Sequence, residues 1–179
     1  MIPEFRSFPK IHRLSRDMII TEKIDGSNGI IYIDENNEIY AGSRNRWLDE
    51  HNENMGFWHW VMENKEELFK LGKGYHYGEW WGYTIQRGYG LKEKRFSLFN
   101  VTKWRDNNIR PKCCQIVPIL YEGMFNTLEI TKQLDILKNH GSYAAPGYMK
   151  PEGIVIYHTH ANVCFKKTIL NDDKGKNEK

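Results

Sequence analysis

Lys23 closes an apolar run, Met18-Ile19-Ile20-Thr21-Glu22-Lys23, and is followed by Ile24-Asp25-Gly26-Ser27-Asn28. An apolar run of this kind ends in a turn, so the lysine amine stands at the mouth of a sheet and is partly desolvated. A placed amine of that sort can act as a nucleophile. Lys-x-Asp-Gly is a short pattern, and taken alone it fits a surface lysine before a type I turn better. Its weight changes with five further segments that follow in order: Ser43-Arg44, Gly78-Glu79-Trp80-Trp81-Gly82, Phe96-Ser97-Leu98-Phe99-Asn100-Val101, Glu152-Gly153-Ile154-Val155 and Phe165-Lys166-Lys167. Single residues in them have plainer readings. Arg44 alone is a loop arginine, Glu79 a strand-end glutamate and Phe99 a core phenylalanine.

Strands dominate the elements that must hold these residues. Met18–Glu22 is predicted as a buried strand and Asp25–Asn28 as a turn. Gly29–Ile33 and Glu38–Gly42 form a hairpin about an Asp- and Asn-rich turn. Asn54–Leu71 is predicted as a helix with Phe57, Trp58, Val61, Leu68 and Leu71 on one face, stopped by Gly72 and Gly74. Tyr75–Trp81 and Phe96–Val101 are predicted strands, joined by the Gly-, Arg- and Lys-bearing loop Gly82–Lys94. Ile116–Tyr121 is predicted as one short strand and Thr127–His140 as a second helix, stopped by Gly141. Gly153–Tyr157 and Asn162–Thr168 make a last strand pair. The polar tail, residues 171–179, is expected to fray. Many strands with two helices predict an α+β domain on antiparallel sheet, with residues 1–170 as the domain.

Composition removes several classes. The chain has 179 residues, 40% apolar and 27% charged, enough for one self-sufficient core. No run approaches a membrane span, and the first residues lack a signal-peptide core. Twenty-six Lys and Arg against 23 Asp and Glu leave a charge of +3, which permits an anionic partner without demonstrating one. Cys113, Cys114 and Cys164 are an odd set without a disulfide framework. They suit a reducing compartment, so a cytoplasmic location is expected, with the nucleus left open. A zinc site from Cys113, Cys114 and His158 or His160 lacks paired Cys-x-x-Cys spacing.

The order of the six segments resembles the covalent nucleotidyltransferases: DNA ligases, RNA ligases and mRNA capping enzymes. Glu22-Lys23 and Asn28, five residues after the lysine, resemble the nick-sealing RNA ligases in particular. The resemblance runs from Glu22 to about Thr168. It implies an antiparallel-sheet nucleotidyltransferase fold, the ATP-grasp-like adenylation domain of ligases, with a few helices. It also implies an ATP-dependent RNA ligase that seals 3′-hydroxyl and 5′-phosphate ends, nicks in duplex foremost, through a lysyl-AMP and an RNA-adenylate. The alternatives are a nucleotidyltransferase with another acceptor (a capping-type enzyme or one that stops at adenylylation) and an inactive RNA-binding domain.

The reaction asks for the residue types present. A lysine amine in water is almost wholly protonated at neutral pH, so it needs desolvation or nearby positive charge before it attacks a phosphorus. By resemblance Lys23 carries AMP, with Asp25 and Lys166 as further catalytic residues, Lys166 bridging the α-phosphate. Arg44 contacts the ribose or phosphate, Glu79 the ribose hydroxyls, and Phe99 stacks on adenine. Asn28 stays near the phosphates and the Glu22 backbone near the adenine edge. Glu152 holds Mg2+ or Mn2+, hydrated apart from one carboxylate. The expected partner is RNA, with no membrane, a monomeric protein and room for an accessory protein.

Two departures from the family pattern stand out. Its last motif carries two lysines one residue apart, whereas Lys166 and Lys167 are adjacent and must point to opposite faces. The chain also ends about a dozen residues after Lys166, where relatives continue into another domain. The reading is therefore a pared-down catalytic domain. In the loop, Arg87, Lys92 and Lys94 fit a backbone-tracking surface and a solvated hairpin equally well. Lys10, His12, Arg13 and Arg16 form a weaker basic cluster.

Overall fold

A computed structural model describes residues 2–173. Its nine strands form two sheets. Sheet A has the order β7-β1-β8-β9 and sheet B the order β3-β2-β4-β5-β6. The α+β class is as expected, and every strand pair but one is antiparallel; β5 and β6 run parallel.

The chain changes sheets at the nucleophile turn. β1 (Asp17–Lys23) lies inside sheet A, and β2 (Ser27–Ile33) inside sheet B. Only Ile24, Asp25 and Gly26 join them. The predicted turn over 25–28 is shorter, because Ser27 and Asn28 already pair with Trp80 and Glu79 of β4 (Gly74–Gly82). A Cβ on Gly26 would meet the Trp80 carbonyl at 2.5 Å, so only glycine lets the crossover pass this close to β4.

The second crossover corrects another expectation. The single strand predicted over 116–121 is two: β6 (Cys114–Ile116) beside β5 (Lys94–Leu98) in sheet B, and β7 (Ile119–Met124) beside β1 in sheet A. Val117 N donates to Leu98 O, and Pro118 O accepts from Glu22 N. Pro118 has no N–H, so the ladder breaks there. β5 also ends earlier than predicted, at Leu98. Asn100 instead caps the short helix α3 (Val101–Trp104), its side chain accepting from Lys103 N at 3.1 Å.

The helix expected over 54–71 starts at Phe57 and breaks at Asn64. Asn54, Met55 and Gly56 all have positive φ. They are held to the sheet instead: Asn54 pairs with Ser27 Oγ, and Met55 O accepts from Trp80 Nε1 and Lys94 Nζ. At Asn64 the side-chain amide takes the Trp60 carbonyl at 2.8 Å, competing with the helical ladder. The result is α1 (Phe57–Glu63), α2 (Lys65–Leu68) and a 3-10 turn to Leu71. Phe57, Val61, Leu68 and Leu71 cover one face of sheet B, over Ile31, Ile33, Ala41, Phe96 and Leu98.

Thr127–His140 is a helix, here α4, as predicted. Gly141 ends it with φ of 85°. Leu137 packs with Met18, Ile20, Ile154 and Ile156 on the outer face of sheet A. A third cluster, with Ile19, Ile24, Trp81, Tyr89 and Val117, lies where the two sheets meet. β3 (Ile39–Gly42), β8 (Gly153–His158) and β9 (Val163–Thr168) complete the sheets. Of the tail expected to fray, Asp172 accepts from Lys167 Nζ at 2.9 Å and Thr168 N at 2.8 Å; residues 174–179 lie outside the described residues. Among the described residues no helix is long and apolar enough to cross a membrane.

Candidate active site

Lys23 is the last residue of β1, opposite Gly153 of β8. That register sets Glu152, one residue before β8, against the lysine. Lys23 Nζ donates to Glu152 Oε2 at 2.5 Å, with side-chain exposures of 19% and 11%. The amine is therefore partly desolvated and partnered by a carboxylate.

Glu79 approaches from sheet B. Its Oε1 accepts from Gly26 N at 3.0 Å and its Oε2 from Asn28 Nδ2 at 3.4 Å. Burial pushes its carboxyl up to about 7; Lys23 and the Gly26 N–H oppose that shift, and the carboxylates of Glu152 and Asp25 add to it. The site thus gathers three carboxylates and one amine.

Asp25 accepts from Arg87 Nε at 2.8 Å, and its own N–H donates to Tyr89 Oη at 2.8 Å. The 82–94 loop accordingly folds back on the nucleophile turn, with Ile85 and Tyr89 buried. That corrects the solvated-hairpin reading of the loop: Arg87 is tied to Asp25 and to Lys150 O, and Lys94 to Met55 O. Tyr89 was not singled out from sequence. Its signal was Gly88-Tyr89-Gly90, three successive residues with positive φ, a turn that points the ring inward.

Glu22 points the other way. Strand alternation puts its side chain on the face of Met18 and Ile20, away from Lys23. There it is buried and accepts from Ser142 Oγ (2.6 Å), Tyr143 N (2.8 Å) and Ala144 N (2.9 Å). Burial raises its pKa, against those three hydrogen bonds. Its carboxylate ties down the loop after α4 and leaves only its backbone for the expected nucleotide edge.

The register separates the two adjacent lysines. Lys166 pairs with Val155, which pairs with Thr21, so it shares the sheet face of Lys23. Lys167 pairs with Ile154 on the opposite, α4 side and is bound to Asp172. Lys166 is exposed, and among the described residues it has no hydrogen-bond partner.

Arg44 and Phe99 lie at the margin. β3 ends opposite Ile30, so the Ser43-Arg44 turn leaves sheet B at the end where β2 begins. Arg44 is exposed and does not touch Lys23. Phe99 follows β5, its N–H donating to Tyr77 O at 2.9 Å. Alternation sets it on the face of Tyr77 and Glu79, and 41% of it is exposed. Lys23, Glu152, Glu79, Asn28 and Asp25 are brought together; Arg44, Phe99 and Lys166 stand around them without contact.

Among the described residues no group of three or more His, Cys, Asp or Glu could hold a metal, and this includes the zinc alternative. The chemistry of the donor set still suits one class of ion. Magnesium takes one or two carboxylates and keeps its waters, and the partly exposed Glu152 carboxylate could provide one.

Comparison with known proteins bears on the family and the fold. The family model described as RNA ligase matches residues 16–170. No curated protein matches the chain. Solved structures of a Naegleria gruberi RNA ligase do. A variant with ATP and Mn is 25% identical with a TM-score of 0.64, covering 86% of this chain and 50% of its own. A variant with AMP and Mn has 25% identity and a TM-score of 0.64, covering 87% and 50%. An apo variant is 26% identical with a TM-score of 0.64, covering 86% and 50%. The chain spans about half the length of these relatives.

Proposed function

The chain belongs to the RNA ligase family, and from that membership we propose that it is an ATP-dependent RNA ligase joining 3′-hydroxyl and 5′-phosphate ends through AMP carried on Lys23. The observation that carries the reading is the meeting of Lys23, Glu152 and Glu79 where the two sheets adjoin. Pure RNA binding does not need a half-buried amine ringed by carboxylates. The catalytic unit is assigned to residues 1–170, with 171–179 a polar tail.

The ion pair with Glu152 is a resting arrangement, since an ammonium has no lone pair with which to attack. Once parted from Glu152 and with one proton given up to solvent, Lys23 Nζ attacks the α-phosphorus of ATP, and a second proton leaves the nitrogen to solvent as the phosphoramide forms. The N–P bond forms as the bond to pyrophosphate breaks. Lys166, on the same sheet face, meets the α-phosphate, Glu79 and Asn28 the ribose side, Arg44 the ribose or phosphate, and Phe99 the adenine ring. Asp25 is fixed by Arg87 and Tyr89 and so fixes the turn that carries the nucleophile. Glu152 would hold Mg2+ or Mn2+, which neutralises phosphate charge and the leaving pyrophosphate.

An RNA 5′-phosphate oxygen then attacks the same phosphorus, and the lysine leaves as an amine. The 3′-hydroxyl next attacks the 5′-phosphorus, forming the phosphodiester and releasing AMP and a proton. A complementary splint holds both ends together beforehand and removes the entropy cost of their meeting. Glu22-Lys23 and Asn28 also favour nicks, by their likeness to the nick-sealing branch.

The test is incubation with α-labelled ATP and magnesium, then a denaturing gel and intact mass. One AMP per chain, labile to acid, is expected. Chelated protein should not label. Nicked RNA duplex should then be sealed faster than a gapped duplex or free strands. Labelling with GTP but not ATP would overturn the reading.

A further inference from the structure

Sheet B carries an aromatic surface that the proposed chemistry does not use. Tyr32 of β2 lies opposite Tyr40 of β3 and Tyr75 of β4, making one row across three strands. Tyr77 sits one step nearer the site. Trp47 returns over Gly42, whose missing side chain is its seat: a Cβ there would come within 3.2 Å of the indole. Tyr32 and Tyr75 stack at 4.4 Å, Trp47 and Tyr75 at 6.3 Å, and Tyr75 and Tyr77 at 6.1 Å with planes 11° apart.

These rings are not core. The opposite face of the same strands packs under α1, whereas Tyr40, Trp47, Tyr75 and Tyr77 are between 44% and 54% exposed. The open face of an antiparallel sheet is ordinarily polar. Contiguous rings left in water there mark a binding surface.

Three observations choose the occupant. First, alternation places Tyr75, Tyr77 and Glu79 on one face, so the surface runs into the candidate site. Second, Arg44 and Arg46 flank Trp47 and line with it a depression of ≈ 250 Å³. Among the described residues neither guanidinium has an acidic partner. Third, flat rings beside unpaired cations match the two parts of a nucleotide, base and phosphate. A second copy of the chain fits poorly, because a two-fold contact would set Arg44 and Arg46 against their own copies.

We propose that Tyr75, Trp47 and Tyr77 form a stacking platform for unpaired RNA bases next to the ends being joined, with Arg46 on the backbone. This rests on the ligase reading for its substrate. Duplex bases hide their faces in the stack, so the platform serves the unpaired nucleotides where a strand leaves the duplex that holds the nick.

The experiment measures anisotropy of a labelled short oligoadenylate RNA, and of the same sugar–phosphate chain without bases, on the full chain. Variants are Trp47→Ala, Tyr75→Ala and Tyr75→Phe, each checked by circular dichroism and by labelling with ATP. Each alanine variant should bind RNA about tenfold more weakly, label normally, and bind the abasic chain as wild type does. Tyr75→Phe should bind nearly as wild type and remains informative if an alanine variant fails to fold. Undiminished RNA affinity in both alanine variants overturns the platform, as does an equal loss for the abasic chain. A wild-type dimer that Trp47→Ala dissociates without loss of RNA affinity assigns the surface to self-association instead. Wild type that never labels, yet loses RNA affinity on Trp47→Ala, sinks the ligase reading and keeps the platform.

Discussion

Lys23 and Glu152, 129 positions apart in the chain, meet at 2.5 Å because β1 and β8 pair with Lys23 opposite Gly153. The contact joins the amine proposed to carry AMP to the carboxylate proposed to hold the metal. Lys23→Arg preserves charge, and with it the partner for Glu152, but a guanidinium is never a nucleophile at neutral pH. The variant should therefore fold and show no AMP labelling on a denaturing gel. Lys23→Ala should also abolish labelling and leave Glu152 without its partner. Label that persists in Lys23→Arg would remove Lys23 from its role.

The adjacent lysines should behave differently. Lys166→Ala is expected to slow adenylylation at least tenfold, the scale of one lost charge-assisted phosphate contact. Lys167→Ala breaks only a half-exposed pair with Asp172 on the other face, and such pairs contribute little. Its labelling rate should match wild type. Single-turnover labelling of both variants decides the matter, and equal losses would contradict the register argument.

Glu79 makes stability depend on pH. Its folded pKa, about 7, lies above the unfolded 4.5, so the folded protein keeps a proton that the unfolded chain releases. That contribution is complete below about pH 4.5 and is lost as pH rises through about 7. It amounts to something on the order of 3 kcal/mol. Glu22, also raised, acts in the same direction. Thermal melts across this window should show wild type losing stability more steeply than Glu79→Gln. Parallel curves would mean that Glu79 is ionised throughout.

Phe99→Ala should weaken ATP binding without weakening the fold. The ring is 41% exposed and, among the described residues, stacks on no other ring. Equilibrium binding of ATP should fall roughly tenfold, given about 1–3 kcal/mol for stacking one base on an aromatic ring. The melting temperature should hardly move. The reverse pattern would make Phe99 a packing residue.

Glu22→Met tests a structural role beside the nucleophile. The buried carboxylate accepts from Ser142 Oγ and from the N–H groups of Tyr143 and Ala144. A methionine has the length but no oxygen, so the N–H groups of Tyr143 and Ala144 would lose their acceptor. Leaving such a group unsatisfied costs about 1–3 kcal/mol. Denaturant titration should show that loss, and an unchanged midpoint would argue against it.

Local chemistry was legible in the sequence where one stretch of chain decides it. Alternation and turn residues located β1, the 33–38 hairpin, β8 and β9, and α4 with its Gly141 stop. What the sequence hid was partnership. Met18–Glu22 and Gly29–Ile33 read as successive strands, and nothing in them shows that they belong to different sheets, because period-two patterning says that a residue is half-buried and not against what. Tyr89 and the Glu22 carboxylate were missed for the same reason: each is defined by a partner more than 60 positions away. The choice between Lys166 and Lys167 also waited for register. Pro118 and Asn64 were visible as ladder breakers and were read through.

The three-residue crossover at Ile24, Asp25 and Gly26 bears on the order of assembly. Lys23 ends a strand of one sheet, Glu79 lies in the other, and Glu152 arrives from late in the chain. Lys23 and Glu152 meet when β8 joins β1 in sheet A, and Glu79 reaches them only when sheet B has formed and docked. Such long-range closures come late in folding, after local hairpins and helices. A nascent or half-folded chain therefore lacks the complete site, and on the proposed chemistry it should spend no ATP on itself. Adenylylation competence becomes a timestamp for the final docking event, readable in a refolding time course by quenching aliquots into labelled ATP.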